Sequence, residues 1–270
     1  MSTPSDNAPH TPDAQVPAAR ATSVDALLDG ALLLEQAVEG YRFNVDSALL
    51  CAFSNTNVGR DVLDVGAGVG VIGLGLATLD AEREVTLVER QASLAALARA
   101  NILRNELQHR TRVVEEDIRE MKGRTKHFDG AVMNPPYFQP GAGEQSPNSE
   151  RALGRHQRFG DLHALVAATS RHVHSWAPVC VVYPAAGTGA ELDAFVAVGR
   201  LATVVQPIAA FEGGVTKLVI VAARQSRAFE MELLAPLVLY DAQRQYTPET
   251  AEILRTGTWK WDSSLKKRHG

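Results

Sequence analysis

RDVLDVGAGVGVIGLGLA, residues 60–77, passes from a short β-branched segment through a glycine cluster into an apolar run. Branched residues favour a strand, and glycines let the chain turn tightly, so the stretch reads as strand, glycine turn and helix. Outward from it the same alternation continues. EVTLVE (84–89), TRVVEE (111–116) and FDGAVM (128–133) read as strands, with SLAALARANILRN (93–105) as a helix between the first two. Beyond residue 160, DLHALVAATSRHVHSW reads as a helix, VCVVYP as a strand, 189–199 as a helix, and LATVVQPI and KLVIVAAR as two late strands. Strands alternating with helices imply an α/β, Rossmann-like fold: a mostly parallel seven-stranded sheet with helices on both faces. Upstream, DSALLCAF (46–53) reads as a helix capped by Asp46, and ALLLEQAVEGYRF (31–43) suggests an N-terminal hairpin around a glycine-containing turn.

The bulk composition sets limits. A chain of 270 residues with 45% hydrophobic content holds one α/β domain with additions. The expected organisation is a Pro- and Ser-rich tail over 1–22, a main domain over 23–256 and a basic tail over 257–270. No apolar run reaches the roughly 20 residues that span a bilayer, and the first residues carry no secretory signal, so the expectation is a cytoplasmic protein, monomeric unless it dimerises. Cys51 and Cys180 stand far apart in apolar settings, as small buried hydrophobes do. His163, His172 and His174 have no metal-ligand spacing, and no metal is expected. The net charge of −4 and pI of about 6.1 require any nucleic acid to be held by a local patch or by shape.

The glycine turn carries the first chemistry. Gly68, Gly70 and Gly73 have the GxGxxG spacing of dinucleotide sites, with Glu89 about 20 residues on, where an acid binds ribose hydroxyls. Asp64, two residues before Gly66, shifts the reading. A carboxylate there repels a pyrophosphate but tolerates an ammonium or sulfonium, and S-adenosylmethionine has both. Asp117, after the third strand, is a candidate acceptor for the adenine amino group of that ligand, or a cap of the following turn.

The fourth strand runs into AVMNPPYF (131–138) and ends at the same sheet edge as the others, where ligands of such sheets bind. Prolines lack N–H groups and hold the preceding residue extended, so Asn134, Pro135 and Pro136 form a stiff loop of acceptors with few donors. The Asn134 side-chain oxygen and the Pro135 carbonyl suit an amino group on an aromatic ring or an amide. Drawn out of plane by two acceptors, its nitrogen frees a lone pair for methylation. Tyr137 can stack on the planar substrate, and Phe138 can line or seal its pocket. Arg151, Arg155 and Arg158, in ERALGRHQR, are spaced for one helical face that could contact phosphates; Lys266, Lys267 and Arg268 form a second basic cluster.

With DVGAGVG, Glu89, Asp117 and NPPY in order, the sequence resembles the class I S-adenosylmethionine methyltransferases of exocyclic or amide nitrogens. More narrowly, it is similar to the tRNA adenine-N6 methyltransferases that act beside the anticodon of a valine tRNA. LLDGALLLEQAVEGYRFNVDSALLCAF, NPPYF and LVLYDAQRQYTPETAEIL carry that narrower likeness over most of 24–256. The resemblance implies S-adenosylmethionine as cofactor and RNA, in particular tRNA, as partner. It implies cofactor contacts from Phe43 and Asp46 and a catalytic role for Asn134, Pro135 and Tyr137. Two alternatives stand beside adenine methylation: methylation of a release-factor glutamine, whose planar amide satisfies the same acceptors, and a non-catalytic cofactor-binding module.

Overall fold

The five residues Asp61–Val65 form β3 at the middle of the sheet, and all but the first are buried. Both faces of the strand are covered, and its valines and leucine are apolar on each side, with Asp64 the buried exception. In the computed structural model, which describes residues 21–38, 44–122, 128–135, 162–226 and 230–259, β3 pairs in parallel with β4 (Glu84–Val88) and β6 (Gly130–Met133). Outside β4 lies β5 (Thr111–Val114), and β7 (Val179–Pro184) follows β6, again in parallel. The order β8-β9-β7-β6-β3-β4-β5 is completed by β8 (Leu201–Ala209) and β9 (Thr216–Arg224). Two further strands of two residues each, β10 (Glu232–Leu233) and β11 (Leu237–Val238), run parallel to β8.

The expected sheet is mostly parallel, as read, but the strand number needs correction: among the described residues it has nine strands and is mixed, with β9 antiparallel to both β7 and β8. The short 210–215 connection explains the reversal, since a parallel crossover needs a dozen or more residues.

Alternating side chains divide the core. Val62 packs on one face with the helices α1 (Val45–Asn55) and α2 (Val71–Leu79), while Leu63 and Val65 face the helix α4 (162–170) and α5 (Thr188–Ala197). The helix α6 (Pro248–Thr256) packs on α1. It is capped at both ends: Thr247 accepts from the Thr250 N–H, Pro248 opens the first turn, and Gly257 closes with φ +63°. Trp259 is buried and meets Phe53 edge-on at 5.6 Å. Ordered packing therefore continues past residue 256, where a tail was expected to begin.

The N-terminal hairpin exists but is displaced from its expected place. β1 (Thr22–Leu27) pairs with β2 (Leu32–Ala37), so LLLEQA forms one strand. The turn lies at 28–31, where Leu28, Asp29 and Gly30 all have positive φ. Asp29-Gly30 is the turn signal that the expected placement overlooked. Gly40 lies outside the described residues. The hairpin is held by α3 (Ala92–Arg104). Asn101 accepts from the Glu35 N–H and donates to the Glu35 carbonyl, and Asn105 does the same with Leu33. Two amides one helical turn apart thus supply the edge of β2 with the partners a neighbouring strand would offer. No helix among the described residues is long and apolar enough to cross a membrane.

Candidate active site

The turn after β3 is built on left-handed backbone: Gly66, Gly68 and Gly70 have φ of +69°, +57° and +94°. Its entry is hung on the neighbouring strand, with the Gly66 and Ala67 N–H groups donating to the Val88 carbonyl. A Cβ at Gly66 would meet no protein atom within 4 Å, so the backbone there borders open space. Glu89, at the end of β4, closes the other side. One carboxylate oxygen accepts the Gly68 N–H at 2.9 Å and the other the Gln91 N–H at 2.8 Å. This cradle of bare backbone with one fixed carboxylate fits the aminoacyl and ribose ends of S-adenosylmethionine, with Gly66, Gly68 and Glu89 as the residues that would hold them.

Asp64 is placed differently from its expected exposure to the ligand. It is 1% exposed, and one carboxylate oxygen accepts the Gly73 N–H of α2 at 2.8 Å while the other is buried without a partner. Burial, reinforced by the charge of Glu89 and opposed by the Gly73 bond, pushes its carboxyl up to about 7. It ties the strand end to the helix, and Gly73 is glycine because a Cβ would lie 2.9 Å from this carboxylate.

Val65 pairs with Met133, so the next residues, Gly66 and Asn134, leave neighbouring strands at the same edge. Asn134 is half-buried, Pro135 is buried, and the Asn134 amide nitrogen donates to Ser47 Oγ at 2.9 Å. Ser47 stands in the first turn of α1. Sequence reasoning missed it, the only hint being a small hydroxyl residue just past Asp46. Asp46 itself is not the N-cap. The helix starts at Val45 with Asn44 as cap residue, and Asp46 sits in the first turn, where it accepts from Asn44 Nδ2 at 2.8 Å. Burial raises its carboxyl. Asn101, also missed, donates to the Val69 carbonyl and joins the glycine turn to the hairpin.

Asp117 accepts from the backbone and guanidinium of Arg119, which hold its carboxyl down at about 2, with Arg90 at 3.7 Å. The bond from the Arg119 N–H is the turn cap anticipated for this residue. Phe43, Pro136, Tyr137, Phe138, Arg151, Arg155 and Arg158 lie outside the described residues, as do Lys266, Lys267 and Arg268. His163 faces Asp193 at 3.4 Å, and His174 stacks on Trp176. Cys51 and Cys180 are buried thiols, each pushed up to about 12 by burial.

The family model for the methyltransferase small domain matches residues 41–150. A tRNA1(Val) (adenine(37)-N6)-methyltransferase of a Flavobacteriaceae bacterium is 29% identical over 151 residues, which cover 56% of this chain and 63% of that protein. Its counterpart in Phocaeicola vulgatus is 32% identical over 146 residues, 54% of this chain and 61% of that one. The chain thus spans about three fifths of the length of these curated relatives. Among solved structures, a predicted O-methyltransferase of Agrobacterium tumefaciens superposes with a TM-score of 0.63 at 23% identity, covering 80% of this chain and 98% of that one. TrmN of Thermus thermophilus superposes at 0.51 and 17% identity, over 67% and 48% of the respective chains. The fold is the class I methyltransferase fold, and the chain is related to the tRNA1(Val) adenine-N6 methyltransferases at about 30% identity over about half its length.

Proposed function

We propose that this chain, a class I methyltransferase by fold, methylates the exocyclic N6 amine of an adenine in tRNA. The observation that carries the reading is Asn134. It ends β6 beside Gly66, and its amide nitrogen is engaged by Ser47, so the amide oxygen remains as the side-chain acceptor for a substrate amine. Pro135 adds a carbonyl and no competing donor. The cofactor, when bound, would supply an electrophilic methyl group, with the sulfonium sulfur leaving as a neutral thioether. Asn134 and Pro135 accept the two amine hydrogens out of the ring plane, and the nitrogen, once methylated, sheds a proton to solvent. No strong base is needed, because positioning and charge placement carry the rate. Phe43, Asp46 and Asp117 are proposed to complete the cofactor site around Gly66, Gly68 and Glu89. Pro136, Tyr137 and Phe138 are proposed to complete the substrate pocket, with Arg151, Arg155 and Arg158 contacting phosphates. The names of the relatives support adenine in tRNA as the target class.

The test is transfer of label from S-adenosylmethionine, offered separately to bulk tRNA, genomic DNA and a release factor, followed by nucleoside analysis. N6-methyladenosine in the tRNA is the expected product. Label in the release factor alone would replace the reading with glutamine methylation, and retained cofactor binding without any transfer would leave a non-catalytic module.

A further inference from the structure

The carboxyl edge of the sheet divides at β6. The cofactor residues Gly66, Gly68 and Glu89 stand at the ends of β3 and β4 on one side. On the other side, the rim is made by the 210–215 connection between β8 and β9 and by the turn that leads from β11 into α6. Three aromatic rings meet there. Phe211 and Tyr240 have centroids 5.9 Å apart, and Tyr240 stacks on Tyr246 at 5.2 Å with an interplanar angle of 17°. Phe211 and Tyr246 are 41% and 42% exposed, and Val215 beside them is 76% exposed. The informative feature is that the exposed apolar groups are grouped at one rim.

Two sets of bonds place this array. The Leu239 and Tyr240 N–H groups donate to the Ala209 and Ala210 carbonyls, which puts Tyr240 at the carboxyl end of β8. β8 lies three strands from β6, roughly 15 Å at the usual strand spacing. The turn is also stiff. Asp241 Oδ1 accepts the N–H groups of Gln243 and Gln245, and the Thr247 N–H donates back to the Leu239 carbonyl. The rings are therefore held in position before anything binds, which keeps the ordering cost low. Charge does not make this surface: exposed Lys217 and Arg244 are offset by Glu212, Glu249 and Asp241.

A platform without net positive charge, made of the stacked Tyr240–Tyr246 pair with Phe211 tilted at 44° beside it, lies at the substrate side of the edge that carries Asn134 and suits a planar ligand with apolar faces and polar rims. We propose that Phe211 and Tyr246 stack unpaired nucleobases that flank the methylated adenosine, an inference that rests on the RNA reading above. A duplex hides its base faces, so the occupant is single-stranded RNA such as a loop.

The test is equilibrium binding of the full chain to unfractionated tRNA, an unstructured oligoadenylate and a blunt RNA duplex, across a range of salt. Phe211→Ala and Tyr246→Ala should each raise Kd for tRNA and oligoadenylate on the order of ten-fold, leave the salt slope unchanged and leave duplex binding unaltered. Tyr246→Trp should restore affinity. Wild-type Kd in both alanine variants overturns the proposal. A loss that Trp does not restore also overturns it, as does a wild-type dimer that these variants dissociate, because the rings then serve packing or self-association. Methyl transfer measured in parallel separates this proposal from the one above. Transfer to tRNA with ring-independent binding removes the platform alone. Ring-dependent binding without transfer removes the methylation reading and leaves the platform.

Discussion

At the scale of single residues, the site is a set of polar atoms whose environments differ sharply. Asp64 has a folded value of about 7 against an ordinary 3.8. Its neutral form is favoured on folding, so its contribution to stability is complete below pH 3.8 and is lost as pH rises through about 7. Asp64→Asn keeps an acceptor for the Gly73 N–H and removes the buried charge. Without cofactor, the variant should match the wild type near pH 4 and exceed it in stability by on the order of 4 kcal/mol above pH 7. Denaturant unfolding at several pH values checks this, and a pH-independent difference would refute it. At Asn134 the expectation is kinetic: Asn134→Ala should lower kcat by about 100-fold and leave cofactor affinity intact, since the glycine turn is untouched. Ser47→Ala frees the amide without removing it and should lower kcat less, by about ten-fold. Equal activity of Ser47→Ala and wild type in single-turnover assays would show that the hydroxyl does not position the amide.

Elements add what no residue supplies alone. The hairpin rests on α3 through Asn101 and Asn105, and Asn101 also holds the Val69 carbonyl of the glycine turn. Asn101→Ala would leave several backbone groups unsatisfied at a fully buried position, at a cost of about 3 kcal/mol. We expect a lower Tm, with faster hydrogen exchange at the β2 amides than in α2; uniform exchange would mean that the hairpin does not depend on this clamp. Gly66→Ala separates fold from ligand. Open space at its Cβ limits the damage to backbone strain of about 1–2 kcal/mol, whereas cofactor binding should fall by an order of magnitude or more in calorimetry. The hairpin also marks where element reading failed and why. ALLLEQA followed by a glycine resembles a strand and a turn, but the stronger signal, Asp29-Gly30, lay on the other side of it. The cap of α1 was placed two positions late, at Asp46, because Asn and Asp are both good caps; the extended backbone of Asn44 puts the helix start directly after it.

For the molecule as a whole, the C-terminal segment closes one face. Asn55 donates to the Gly257 carbonyl, and Trp259 packs on Phe53, so α6 is bound to α1 through residues beyond its own end. Ending the chain after residue 256 should cost about 3–5 kcal/mol relative to ending it after 259, by loss of a buried Trp. Thermal unfolding of the two forms checks the difference; equal midpoints would mean that the core does not need Trp259.

The order of strand, glycine turn and helix, the acid at the end of β4 and the acceptor-rich end of β6 were all legible along the chain. Apolar spacing, positive-φ glycines and prolines act locally, so their consequences can be read without knowing what lies across the fold. The late strands were legible as strands, but their antiparallel pairing was not read from the short link between them. The partners that give those residues their roles were not legible. Ser47 meets Asn134 across 87 positions and Asn101 meets Glu35 across 66, while Phe211 joins Tyr240 and Tyr246 at a rim that exists only once β8 and β11 are side by side. Such pairings depend on the register of distant strands and the packing of helices over them. Only the tertiary structure could decide that Asp64 is buried beneath a helix while Glu89 lines the glycine turn, although both are carboxylates at strand ends.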